Sequence, residues 1–63
     1  MLTKEQLLTL PAGTEVVFTG EDCKGMVGAI TAEGTILWPD GVESHFGYRS
    51  VPTGTLFSVE VQK

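Results

Sequence analysis

The stretch Val16-Val17-Phe18-Thr19-Gly20-Glu21-Asp22-Cys23-Lys24-Gly25-Met26-Val27-Gly28-Ala29-Ile30 decides the fold. It reads as a strand of β-branched and aromatic residues, a loop bounded by glycines, and a second strand punctuated by Gly28. Downstream, β-rich runs keep alternating with turn signals, and the spacing predicts strands near residues 14–19, 25–31, 35–38, 42–46 and 55–61. Upstream, Thr3 followed three residues later by Gln6 matches a capping box. Leu7, Leu8 and Leu10 supply an apolar side, and Pro11 with Gly13 stops the helix. The expectation is one domain over residues 1–63, with a short helix over about 3–10 and an all-β barrel over about 14–61. A helix of about two turns cannot be stable alone, so its leucines are expected to close one end of the barrel.

Two connections carry specific turn chemistry. In Trp38-Pro39-Asp40-Gly41-Val42, proline presets φ at the first loop position, Asp suits the second, and glycine takes the left-handed third, which makes a three-residue hairpin loop. Thr31-Ala32-Glu33-Gly34-Thr35 has the same length and the same final glycine. Together they set a register: Thr31 faces Thr35, Ile30 faces Ile36, Gly28 and Val42 face Trp38, and Ile36 faces Ser44. Side chains alternate along a strand. Met26, Ile30, Ile36, Trp38, Val42 and Phe46 therefore share an apolar side on which Gly28 leaves room for the indole. Val27, Ala29, Thr31, Thr35, Leu37, Glu43 and His45 share the other side, which is only half polar. The segment Phe46-Gly47-Tyr48-Arg49-Ser50-Val51 is too broken for a strand and suits a short 3₁₀ turn. Leu10-Pro11-Ala12-Gly13-Thr14 is echoed by Val51-Pro52-Thr53-Gly54-Thr55. Both lead into a strand, and the first and last strands are expected to pair and help close the barrel.

The Lys24-Gly25 pair, followed by two residues, Gly28, one residue and Ile30, resembles the KOW motif of SH3-like barrels. The resemblance covers about a quarter of the chain and implies a small five-stranded SH3-like barrel. In that family, the loop after the first strand and the positions between the glycines carry Lys or Arg that contact RNA, or surfaces that contact protein. The matching positions here hold Glu21, Asp22, Met26, Val27 and Ala29, and Lys24 alone keeps the charge. The resemblance implies the fold and a binding edge, with no specific family identified.

Composition narrows the functional classes. Four Lys/Arg against eight Asp/Glu give a net charge of −4, a field that repels phosphate backbones, so nucleic-acid binding is disfavoured. A chain this short buries about 60% of its unfolded surface. Its one Cys excludes an intrachain disulfide, and one Cys with one His falls short of a structural zinc site. Stability is expected from packing or self-association. No apolar run reaches the roughly 18 residues of a membrane span, and Met1-Leu2-Thr3-Lys4-Glu5-Gln6 lacks an apolar secretory core. With an unpaired Cys suited to a reducing compartment, the expected location is cytoplasmic. A start-methionine chain of this size suits an accessory factor.

Catalytic constellations do not assemble. Ser44 and His45 are neighbours on a strand and point to opposite faces, and Cys23 lies in an acidic loop that disfavours its thiolate. Glu21 and Asp22 offer two carboxylates where hard cations want several converging oxygens. The expectation is no enzyme, no cofactor and no metal. The residues instead suggest a non-enzymatic protein-binding module, a small regulator or inhibitor docking onto a larger partner with a basic surface. Acidic loops would steer the encounter. Its binding surface would join Glu21 and Asp22 to the face bearing Val27 and Leu37, with Tyr48 and Arg49 as rim anchors, because a face of exposed aliphatics calls for use or cover. A homo-oligomer interface is the competing use of that face. The alternative class is a KOW-like nucleic-acid or ribonucleoprotein binder, which needs Lys24, Arg49, Lys4 and Lys63 to converge on one side. An enzyme with a site formed between subunits is a third class, for which no motif is present.

Overall fold

The computed structural model describes residues 1–22 and 24–62; Cys23 and Lys63, and the readings that fall on them, lie outside the described residues. In chain order the elements are β1 (Leu2–Thr3), α1 (Lys4–Thr9), β2 (Glu15–Phe18), β3 (Val27–Ile30), β4 (Thr35–Leu37), β5 (Glu43–His45), β6 (Leu56–Phe57) and β7 (Val59–Val61).

The two three-residue loops form as their residues dictate. Gly34 and Gly41 take φ of 77° and 89°, the left-handed region that glycine enters without a Cβ penalty. Thr31 N–H donates to the Thr35 carbonyl and Trp38 N–H to the Val42 carbonyl, each at 2.9 Å. The Asp40 carboxylate accepts the Val42 N–H. The register follows: Ile30 faces Ile36 and Ile36 faces Ser44. The proline echo is also structural. Thr14 and Thr55 each return their N–H and hydroxyl to the carbonyl of the proline three residues before, Pro11 and Pro52. In the 46–51 segment a single turn closes from Val51 N–H to the Tyr48 carbonyl.

Five strands form one antiparallel sheet in the order β5-β4-β3-β2-β7, so the first long strand does pair with the last. The predicted final strand is divided at Ser58. Its first part, β6, pairs instead with β1 in a two-stranded sheet, with Leu2 facing Phe57. The barrel is not closed, since β5 and β7 are unpaired on their outer sides among the described residues. Val42 keeps the inner side that alternation gives it and is nonetheless 56% exposed, because among the described residues the sheet ends at β5.

The helix begins with the expected capping box. Thr3 Oγ1 accepts the Gln6 N–H, and Gln6 Oε1 accepts the Thr3 N–H, two otherwise orphaned donors. Leu7 is fully buried and Leu10 packs against the core, whereas Leu8 is exposed and does not join them. A helix of six residues holds only through its contacts, and its first turn is tied to the 48–55 segment. Lys4 Nζ donates to the Tyr48 and Val51 carbonyls, Lys4 N–H to the Thr55 carbonyl, and Glu5 Oε1 accepts the Gly54 N–H.

Leu7, Val16, Ile30, Ile36, Trp38, Phe46 and Val59 form the core, with Leu2, Leu10, Phe18, Met26 and Phe57 packed against it. Trp38 is buried and donates its indole N–H to Ser44 Oγ at 2.8 Å, which removes the cost of burying that donor. Phe18 meets the indole edge-on at 5.8 Å, a favoured aromatic geometry. Gly28 makes the indole's position possible: a Cβ there would stand 2.7 Å from both Trp38 Cε3 and Ile36 Cγ2.

Candidate docking face

The register assigns every outward side chain of the large sheet to a cross-strand row. Glu60, Val17 and Val27 form one row, since Val17 faces both neighbours. Glu15, Ala29, Leu37 and Glu43 form the next. Thr31, Thr35 and His45 line the third, where Thr35 faces His45. The centre of the face is thus aliphatic, from Val17 and Val27 through Ala29 to Leu37. Leu37 stands out at 46% exposed. Carboxylates stand at the flanks: Glu15 and Glu60 on β2 and β7, Glu43 on β5. Val27, Ala29 and Leu37 line a shallow groove with Glu15 at one side and Trp38 and Pro39 at its end.

Glu43 is held in place. Thr35, almost fully buried, donates its hydroxyl to Glu43 Oε2 at 3.0 Å and shares a 2.6 Å hydrogen bond with the Thr31 hydroxyl. The bond from Thr35 ties one oxygen of the exposed Glu43 carboxylate to the neighbouring strand. His45 takes no part in that chain; its ring stacks on Tyr48 at 4.6 Å and 17°. Ser44 Oγ is turned to the core and engaged by Trp38, so Ser44 and His45 sit on opposite sides of β5.

The antiparallel topology sorts the anticipated binding residues by end. Glu21 and Asp22 are exposed in the β2–β3 loop, beside Val27 and at the end of the sheet where the Pro39–Gly41 turn also lies. Tyr48 and Arg49 are exposed where the chain leaves β5, at the opposite end. The structure therefore brings Glu21, Asp22, Val27 and Leu37 to one region and sets Tyr48 and Arg49 apart, beyond His45. Glu15, Glu60 and Val17 belong to the face although the sequence reading did not assign them to it. The signal was the β2–β3 register, which the long loop between those strands leaves open.

Among the described residues the positive groups are dispersed. Lys4 is engaged by main-chain carbonyls and the amino terminus by Glu60 at 3.1 Å. Lys24 lies in the β2–β3 loop and Arg49 at the other end of the sheet. Among the described residues, no three His, Cys, Asp or Glu side chains gather as a metal site, and no helix is long and apolar enough to cross a membrane. No protein-family model, curated protein or solved structure matches the chain.

Proposed function

We propose that the protein is a small non-enzymatic binding module of the regulator or inhibitor type, acting in the cytoplasm, which docks on a larger protein through the outer face of its five-stranded sheet. The observation that carries this reading is the row Glu15-Ala29-Leu37-Glu43, an exposed aliphatic centre with a carboxylate on each side. Such a face suits a partner with an apolar patch bordered by basic residues, where the centre supplies affinity and the charges supply orientation and encounter rate. The pairing of the first long strand with the last, and the close approach of Trp38 to Gly28, support an SH3-like frame for the face.

The same charges weigh against two other uses. Two copies meeting face to face would bring Glu15 and Glu43 against one another, a like-charge juxtaposition that disfavours self-association. Nucleic-acid binding needs a continuous basic track, whereas Lys24 and Arg49 stand at opposite ends and Lys4 is engaged.

Affinity capture from the native host with wild-type protein and Leu37→Glu tests the proposal. One stoichiometric protein that is lost with Leu37→Glu, while sedimentation stays unchanged, supports a docking face. A wild-type dimer that becomes a monomer identifies an oligomer interface instead. If neither changes and the variant remains folded, the face is not the binding surface.

A further inference from the structure

We infer that the open edge of β5 is a second contact element, one that takes an extended segment of the basic partner as an added antiparallel strand. The inference rests on the docking reading for the charge of the partner but not for the place of contact.

The hydrogen-bond pattern shows which groups the edge offers. Trp38 N–H donates to the Val42 carbonyl and Phe46 N–H to the Gly34 carbonyl, so positions 42, 44 and 46 direct their main-chain groups toward β4. Antiparallel strands alternate in this respect. Glu43 and His45 therefore turn their N–H and C=O groups outward, away from β4, and β5 has no other strand beside it among the described residues. These groups form a short template for strand addition.

The side chains flanking that edge specify the occupant. On the outer side stands Glu43, its carboxylate held by the Thr35 hydroxyl. On the inner side Val42 is 56% exposed, left open because the sheet stops here. An added strand alternates its side chains between the same two sides. It would place a basic residue beside Glu43 and an aliphatic residue over Val42, so the chemistry that fits is an extended run of alternating Lys or Arg and β-branched residues. A second copy of β5 could also lie along this edge, with Glu43 opposite His45. The net charge of −4 on each chain favours the basic segment.

The test uses the wild-type protein and three capped pentapeptides. The first is Val-Lys-Val-Lys-Val, the second the same peptide with Glu in place of Lys, and the third the Lys peptide N-methylated at alternate residues on its pairing edge. Amide hydrogen exchange is read residue by residue by NMR. The expected result is a slowing of about tenfold or more in exchange at Glu43 and His45 with the Lys peptide, absent with the Glu and N-methylated peptides. Shifts confined to Val27, Ala29 and Leu37, or protection that survives N-methylation, overturn strand addition while leaving face docking in place. Protection of Glu43 and His45 without any peptide, relieved by dilution, shows self-pairing and overturns the basic occupant. No response at any residue overturns the inference outright.

Discussion

The backbones of Gly34 and Gly47 cross in direct contact. The Gly34 carbonyl accepts both the Phe46 and the Gly47 N–H, at 3.0 and 2.8 Å. A Cβ built on either glycine would stand 2.9 Å from the other's Cα. The crossing anchors the β3–β4 hairpin to the point where the chain leaves β5. It therefore sets where the His45–Tyr48 stack lies relative to the outer face.

Gly47 is solvent-exposed, and by exposure alone a methyl group there should be harmless. The crossing reverses that expectation. Gly47→Ala must push the two backbones apart, an overpacking cost of about 1–3 kcal/mol, read as a lower urea midpoint with an unchanged slope. Coincident midpoints would show that the crossing yields freely.

Gly28→Val tests the other close approach. Its side chain would enter space held by Trp38, Ile36 and the Leu37 carbonyl, with a cost of about 1–3 kcal/mol or more. Because Trp38 is the chain's only tryptophan, its fluorescence reports the disturbance without ambiguity. The variant should show a red-shifted emission and a lowered midpoint.

These two glycines also mark how far the sequence could be read. Gly28 opposite Trp38 was legible, because three-residue loops ending in Gly34 and Gly41 leave one register and period-two alternation does the rest. The capping box at Thr3 and Gln6 was legible for the same reason: both signals are local. The Gly34–Gly47 crossing, the two-residue pairing of Leu2 with Phe57 and the division of the last strand at Ser58 join distant parts of the chain, and no local pattern encodes them. Half of the candidate face was visible, from Val27 through Leu37 to His45. Its other border, Glu15 and Glu60, waited on a register that the Thr19–Met26 loop does not determine. Val42 keeps the side that alternation gives it, but its exposure was not legible, because alternation states which side a residue faces and is silent on whether anything lies there.

Lys4 is a further long-range feature with a measurable consequence. Its ammonium holds the Tyr48 and Val51 carbonyls at 2.9 and 2.7 Å. Lys4→Met keeps most of the aliphatic stem and removes the donor. Loss of charge-assisted bonds at this half-buried site should cost about 1–2 kcal/mol and speed exchange of the Val51 N–H, which closes the turn between them. An unchanged Val51 exchange rate would mean that the turn holds without the clip.

Binding of mixed-sequence single-stranded or duplex oligonucleotides should be weak at physiological salt, since non-specific affinity depends on phosphate neutralisation and, among the described residues, Lys24 and Arg49 stand at opposite ends of the sheet. Fluorescence anisotropy decides the matter. Submicromolar binding would favour the ribonucleoprotein class over protein docking.

The carboxylates bordering Leu37 should govern the rate of encounter with a basic partner more than the lifetime of the complex. Glu43→Gln isolates this, because the amide oxygen can still accept the Thr35 hydroxyl, so the partly buried hydrogen bond survives while the charge is lost. Stability should change by no more than about 0.5 kcal/mol, the usual range for a surface substitution. Once the captured partner is purified, stopped-flow association should be slower for Glu43→Gln and for Glu15→Gln, with a shallower dependence on ionic strength and a nearly unchanged dissociation rate. Leu37→Glu should show the reverse emphasis, with faster dissociation as its main effect, because it removes the apolar centre that the partner would cover. If Glu43→Gln alters dissociation as strongly as Leu37→Glu does, Glu43 is a buried contact in the complex and not a steering charge at its rim.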